Sequence, residues 1–586
     1  MMKWVLTESD EEAAAQLSGQ TGCHPLIARL LVNRGITDST RAQSFLSSSF
    51  SDVSDPAIFI DMEKAVHRIT SAITAGEKVV IYGDYDVDGV TGAALLYLVL
   101  LDLGAKVSSY IPDRMTEGYG LHTGALEEIG SLGAKLVITV DCGIGAMNEA
   151  DHARSIGLDL IITDHHESEH LKEYTGKQGD RIAGLPDAYA LIHPTLVSPG
   201  VPAPVRDAVS VLTGVGVAFK LAQALMGTGA GEEQAQPYLD LVTLGTIADM
   251  GQLSGENRIF VKHGLELLSS DAGAPRPGIA ALKRVTGLAG REITAGNVGF
   301  TLAPRINASG RLERADMAFR LLTTNSQEEA AELAETLDGV NKERQAVELG
   351  IWEEARRMAR HVDLAETGAL VLASEAWHPG VVGIVASRIA EEFYRPTALI
   401  ALQEGVGKGS ARSIPGFDLY GALSECSDLL TAFGGHRYAA GFTVPAEGIP
   451  ELRERLSALV LERAGPEGFV RTLQVDGSVG LDELTVDLMN EIVRMAPFGQ
   501  GNPEPRIGAR GLEVLSSRIV GNNHLKLRLR QKSGRPFDSI AFSRGGRKGW
   551  QVREGSRMAA VFTPRFNTWN GKTSIELNIR DIKKEQ

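Results

Sequence analysis

At 586 residues the chain is too long for one hydrophobic core, and at about 100–200 residues per domain it implies three or four. A composition of 43% apolar and 23% charged residues excludes large-scale disorder, while three scattered cysteines, Cys23, Cys142 and Cys426, exclude a disulfide framework or a thiolate zinc site and fit a reducing cytoplasm. The net charge of −15 argues against a nucleic-acid partner only until its distribution is read: from Gly501 to Gln586, 18 Lys+Arg stand against 7 Asp+Glu, a basic module on an acidic body.

Taken in chain order, Met1 to Gln16 is acidic where a targeting segment needs a basic start and an apolar run, so none is expected. From Lys78 to Asp164 one theme repeats, in which an apolar β-rich run ends in acid and a helical pattern follows. Val79-Val80-Ile81-Tyr82 leads into Asp84, Asp86 and Asp88 before Gly89. Lys135 to Val140 leads into Asp141-Cys142-Gly143, and Leu158 to Thr163 leads into Asp164-His165-His166. Such runs alternating with helices predict a parallel sheet covered on both faces, with ligands beyond the carboxyl ends of its strands. Ala93–Leu101 is far shorter than the ~20 residues of a membrane span and is expected as a buried helix. Leu241 to Ala248, ending in Asp249, is expected as a further strand on the same rim.

Between Ser326 and Val362, apolar residues spaced mainly by threes and fours predict one long amphipathic helix, which Gly339 and Gly350 weaken. The stretch from Gly368 to Gly465 is glycine-rich α/β sequence. Beyond Phe469, alternating runs such as His524 to Arg530 suit a small β-barrel.

Asp84, Asp86 and Asp88 need an explanation, because neighbouring carboxylates repel unless a cation sits among them. An EF-hand loop begins the same way, but its twelfth position should be Glu and here is Leu95. Asp164-His165-His166 adds imidazole, a ligand mixture suited to Mn²⁺ as well as Mg²⁺. Two such ions, about 3.5–4 Å apart, can activate water and stabilise the leaving oxygen of a phosphodiester, and a bridging Asp141 would hold them at that spacing. A lone Asp after a strand is more often a helix N-cap than a ligand; it is the whole set that argues otherwise.

In this order the triple Asp, Asp141-Cys142-Gly143, Asp164-His165-His166 and Thr246-Ile247-Ala248-Asp249 resemble the DHH phosphoesterase superfamily, most closely its bacterial single-strand-specific 5′→3′ exonucleases. The likeness continues through Pro304-Arg305-Ile306-Asn307-Ala308-Ser309-Gly310-Arg311 and Asn341-x-x-Arg344-Gln345. It extends to Trp377-His378-Pro379-Gly380 and Phe433-Gly434-Gly435-His436 of a DHH-associated domain, and to Pro497-Phe498-Gly499-x-Gly501-Asn502-Pro503-Glu504-Pro505 of an OB-fold region. The resemblance implies a parallel-sheet DHH domain with an N-terminal extension over 1–325 and a linker helix over 326–363. It further implies a smaller α/β DHH-associated domain over 364–465 and an OB-fold β-barrel over 466–586.

It also implies Asp84, Asp86, Asp88, Asp141, His165 and Asp249 as ligands of two Mn²⁺ or Mg²⁺ ions, with His166 facing the scissile phosphate. Polarity, the preference for Mn²⁺ or Mg²⁺ over other cations and a role in DNA repair and recombination come from the resemblance alone. So do a monomeric state and a single-stranded-DNA-binding protein and recombination helicases as partners, whereas the cysteine usage and acidic N-terminus point to the cytoplasm and the shortness of Ala93–Leu101 to no membrane association. The chain reads as ending after the OB fold, without the additional C-terminal domain that some relatives carry.

For the DNA backbone the candidates are Arg114, Arg305, Arg311, Ser410, Arg412 and His436, since Arg grips phosphate bidentately and glycine-rich loops let backbone N–H groups approach it. The competing reading for each is a structural salt bridge or turn. Phe542, Trp550, Phe562, Phe566 and Trp569, interleaved with Arg and Lys, have the composition of a single-strand stacking groove, although core burial explains any one of them better. A DHH phosphodiesterase of cyclic dinucleotides would lack the long helix and basic tail, and a catalytically dead DNA scaffold would have no reason to keep every carboxylate.

Overall fold

The computed structural model describes residues 2–585 apart from 115, 169, 172–183, 228–233, 271–275, 313–315, 465–468 and 548; the side chains of 311, 312 and 569 also lie outside the described residues. The chain forms two compact units. One comprises Met1–Pro112, Glu117–Ala303 and Thr472–Gln586, and the other Asp113–Thr116 and Pro304–Arg471.

In the first unit, β1 (Lys3–Leu6) stands outside a parallel sheet built from β2 (Lys78–Gly83), β3 (Lys106–Tyr110), β4 (Ala134–Val140), β5 (Asp159–Thr163) and β6 (Ala190–Ile192). The order is β3-β2-β4-β5-β6 and every pairing is parallel, as the alternation of apolar runs and helices predicts. From β2 the chain crosses to β3 on one side and then returns to place β4 on the other. The topological switch point therefore lies between β2 and β4, and the residues that follow those two strands are Asp84 and Asp141.

The Val87–Asp102 helix covers this sheet, and most of Ala93–Leu101 is buried within it, as expected. Leu241–Ala248 is not a strand. It belongs to the Leu239–Ala248 helix, which is buried on all sides through Thr246. A run apolar at every position carries no period, so a fully buried helix and a fully buried strand look alike in sequence.

The second unit holds β7 (Leu370–Ser374), β8 (Thr397–Gln403), β9 (Val406–Arg412), β10 (Ala432–His436) and β11 (Ala439–Pro445) in the order β10-β11-β9-β8-β7. Only β7 and β8 run parallel. Its longest element is the 34-residue Gln327–Arg360 helix, about 51 Å at 1.5 Å per residue. Ser326 caps its start by accepting a hydrogen bond from the Glu329 N–H. Gly339 and Gly350 do not interrupt it: both face open space, and Leu333, Leu337, Ile351 and Ala355 are buried along it.

Back in the first unit, β12 (Thr472–Val475) pairs in parallel with β1. A short β13 (Gly477–Ser478) then leads into β14 (Ile507–Val520), β15 (His524–Gln531), β16 (Phe537–Ala541), β17 (Arg557–Trp569) and β18 (Lys572–Lys584). Pairing of β14 with both β15 and β17 closes these five strands into a barrel of OB type. In β15 the alternation read from the sequence is realised, with Leu525, Leu527 and Leu529 buried. The barrel shares one core with N-terminal residues such as Leu17, Ile27 and Leu30.

Phe562 and Trp550 are buried in that core and Phe566 packs against it, whereas Phe542 is exposed. The Trp569 side chain lies outside the described residues. Among the described residues no single helix is long and apolar enough to cross a membrane.

Candidate metal centre

Three strand-end loops and the end of one helix meet beyond the carboxyl edge of the parallel sheet. Asp84 follows β2, its N–H donating to the Val140 carbonyl at 3.1 Å. Asp86 caps the Val87–Asp102 helix, its Oδ1 accepting from the N–H groups of Asp88 (2.9 Å) and Gly89 (3.1 Å). The N-cap reading and a place in the acidic cluster are thus both realised by Asp86. Asp88, in the first turn, is buried and accepts from the Gly214 N–H (2.7 Å) and the Val215 N–H (3.0 Å), so its carboxylate sits on the positive end of the Gly214–Met226 helix.

Asp141 follows β4 with a left-handed backbone, φ 63°, a conformation Asp tolerates better than most residues and one that collects at functional sites. The start of the Gly214–Met226 helix comes so close that a Cβ on Gly214 would lie 2.5 Å from that of Asp141. Asp249 ends the Leu239–Ala248 helix and comes within reach of the sheet edge despite being helix-borne.

His165 ties the set together. Its Nε2 lies 3.1 Å from Asp141 Oδ1, 3.8 Å from Asp88 Oδ2 and 3.9 Å from Asp249 Oδ2. Among the described residues, three groups have ligand atoms that lie within 4.8 Å of one another: Asp141, His165 and His166; Asp88, His165 and Asp249; and Asp84, Asp86 and Asp141. All seven residues expected from the sequence to form the centre are therefore brought together, with Asp141 common to two groups and His165 to two.

The electrostatics of this cluster are unfavourable for the bare protein. Burial, with Asp249 and Asp86, pushes the Asp88 carboxyl well above its ordinary value, and burial with Asp88, Asp86 and Asp84 does the same to Asp141. Burial and Asp86 raise Asp249 to about 7. Burial and the neighbouring His166 lower His165 to about 4, leaving a neutral imidazole with a lone pair to offer. Asp141 Oδ1 and His165 Nε2 are both buried and make no hydrogen bond. Two unpaired lone-pair atoms 3.1 Å apart, among oxygen ligands and with no thiolate in the set, fit a divalent cation of the Mg²⁺ or Mn²⁺ kind.

Two residues outside the expected set organise it. Asp164 is buried and accepts four hydrogen bonds: at Oδ1 from the His165 N–H, the His166 N–H and His166 Nδ1, and at Oδ2 from the Ile144 N–H. Burial raises Asp164, but the bond to and charge of His166 outweigh it and bring the carboxyl to about 2. Burial likewise pulls His166 down, and Asp164 with Asp249 and Asp84 overrides it to about 9. The Tyr119 hydroxyl lies 3.0 Å from His166 Nδ1 and donates to the Asp141 carbonyl at 3.3 Å. Burial and the carboxylates of Asp164 and Asp141 push its pKa upward, so the phenol keeps its proton. Asp164 is visible in the sequence as the first member of the Asp-His-His triplet; nothing in the spacing of Tyr119 singles it out.

The phosphate candidates divide. Arg114 lines a cavity of about 190 Å³ with Pro379, Gly380, Val382, Lys408 and Gly409. On β9, the strand that also carries Lys408 and Gly409, Ser410 Oγ accepts from Arg412 Nη1 at 2.9 Å, and a Cβ on Gly383 would lie 2.8 Å from Ser410 Oγ and 3.0 Å from Arg412 Nη2. Burial lowers the Arg412 pKa. Lys408, a cation beside these residues, is not among the contacts expected from sequence. Arg305 donates to Asp338 at 2.8 Å, the structural ion pair that competes with its phosphate role. His436 is exposed at the end of edge strand β10, and the Arg311 side chain lies outside the described residues.

Family models match three segments: the DHH family N-terminal domain over residues 78–246, the DHHA1 domain over 366–462 and the RecJ OB domain over 475–581. The single-stranded-DNA-specific exonuclease RecJ of Bacillus subtilis (strain 168) is 41% identical across 99% of this chain and 70% of its own length. The protein of the same description from Escherichia coli (strain K12) is 33% identical across 95% of this chain and 96% of its own. The crystal structure of RecJ in complex with Mn²⁺ from Thermus thermophilus superposes with a TM-score of 0.78 at 29% identity, covering 100% of this chain and 80% of that one. With identity sustained over nearly full length and all three domain models matched in order, the chain belongs to the RecJ family.

Proposed function

We propose that this protein is a single-strand-specific 5′→3′ exodeoxyribonuclease that hydrolyses phosphodiester bonds with two Mn²⁺ or Mg²⁺ ions. The observation that carries the reading is the convergence of Asp84, Asp86, Asp88, Asp141, His165 and Asp249 into overlapping groups that share Asp141 and His165. Those six would hold the ions. When bound, divalent cations in such a site supply Lewis-acid charge for activating water and for stabilising the leaving oxygen.

The chain's own residues do the rest. Asp164 fixes the ring of His166 and keeps it protonated, so that a cationic N–H donor is available to the scissile phosphate. The Tyr119 hydroxyl donates to the Asp141 carbonyl and lies 3.0 Å from Nδ1 of the same ring, bracing it against the cluster. The Arg114 and Lys408 cavity, with Ser410 and Arg412 beside it, has the charge and size to receive a terminal phosphate, and the exposed His436 is a further backbone contact. Arg305, held by Asp338, and Arg311 are kept as weaker phosphate contacts. The basic OB barrel would retain the strand while its end is degraded.

The same reading has the protein act in the cytoplasm, which its scattered cysteines support, and, by family likeness, as a monomer in repair and recombination alongside a single-stranded-DNA-binding protein and recombination helicases. End-labelled single- and double-stranded DNA incubated with Mn²⁺, Mg²⁺ or chelator tests the assignment. Single strands should shorten from the 5′ end only when metal is present. Degradation from the 3′ end, or equal loss of duplex, overturns the polarity or the strand preference respectively.

A further inference from the structure

Two large apolar side chains near Asp249 are left in water, Met250 on the turn that follows it and Phe300 on a helical turn packed beside it. Met250, the next residue, has a left-handed backbone at φ 59° and is 69% exposed. Phe300 is 88% exposed, an unusual place for a side chain that gains so much from burial. It sits in the π-helical turn Val298–Leu302, whose Val298 and Leu302 are buried, so that Phe300, two residues on from Val298, faces away from the core. The preceding Gly299 packs on the last turn of the Leu239–Ala248 helix, where a Cβ would stand 3.5 Å from Ile247 Cγ2. Ile247 is two residues from Asp249. The turn that bears the aromatic ring therefore packs on the helix end that supplies one corner of the carboxylate cluster, and π-turns of this kind recur at functional sites.

We propose that Phe300, together with Met250, is a stacking platform for the base of the 5′-terminal nucleotide, whose 3′ phosphodiester is the scissile bond at the Asp249 cluster. The inference rests on the phosphodiesterase reading above and adds a positioning element to it. An aromatic face accepts any base, because every base offers a π-face, so the platform orients the terminal nucleotide without reading sequence.

The test compares wild type with Phe300→Ala and Phe300→Trp on two single-stranded oligonucleotides, one with a normal 5′-terminal nucleotide and one abasic at that position. Phe300→Ala should raise KM on the normal oligonucleotide by about five-fold or more. It should match wild type on the abasic one, and Phe300→Trp should restore the normal value. With chelator present, fluorescence of a 5′-terminal 2-aminopurine should be quenched by wild type and not by Phe300→Ala. An unchanged KM on the normal oligonucleotide, or an equal loss on both, overturns the platform while leaving the nuclease reading intact. A wild-type protein that degrades neither oligonucleotide overturns both.

Discussion

Asp164 and Asp141 stand 23 residues apart in the chain and do different work at one site. Asp141 offers a buried oxygen with no hydrogen-bond donor, which is what a ligand needs; Asp164 has both oxygens committed to N–H groups and can only orient. Asp141→Ala should therefore abolish cleavage while DNA retention through the barrel persists, measured by end-label release beside a gel-shift assay; near-normal turnover would remove Asp141 from the mechanism. Asp164→Ala frees the His166 ring and leaves the Ile144 N–H without its acceptor. A loss of about 10–100-fold in activity, with cations still bound, is expected from removing a group that orients others, and steady-state kinetics alongside metal titration would register it. That Asp84 to Asp88, Asp141, His165 and Asp249 would meet was legible because their residue types make sense only together. The division of labour was not, since it depends on which N–H groups the tertiary fold aims at each oxygen.

At the scale of the element, the same substitution should act with opposite sign in two helices. Gly339 lies mid-helix in open space, so Gly339→Ala removes backbone freedom from the unfolded chain at no steric cost and should stabilise the protein by about 0.5–1 kcal/mol. Gly214 starts the helix whose N–H groups hold Asp88, and its missing side chain makes room for Asp141. Gly214→Ala should displace that carboxylate, lowering both activity and melting temperature. Thermal unfolding of the two variants side by side gives the comparison, and a melting temperature shifted the same way by both would contradict it. Elements with a period were legible from sequence: β15 alternates, and the Gln327–Arg360 helix shows its stripe through two glycines. The Leu239–Ala248 helix reads as a strand because burial on every side erases the period, yet the position of Asp249 at its end survives the error.

Across the first unit, Arg258 is the clearest long-range tie. Its guanidinium donates to the carbonyls of Phe45, Arg494, Ala496 and Pro497 and stacks on the Phe45 ring at 3.9 Å, joining N-terminal, sheet-bearing and barrel-proximal segments. Burial and Arg34 lower its pKa to about 9, still high enough for it to be charged at neutral pH. Arg258→Ala would leave four carbonyls short of a donor and should cost on the order of 3 kcal/mol, read as a fall in the denaturation midpoint. No sequence pattern points to that tie, because its partners are backbone atoms more than 200 residues away. The central claim concerns the carboxyl edge of the parallel sheet, and isothermal titration of the metal-free protein with Mn²⁺ tests it most directly. Two ions per chain should bind wild type, and Asp141→Ala should lose binding. No binding by wild type, or equal binding by the variant, would contradict the account.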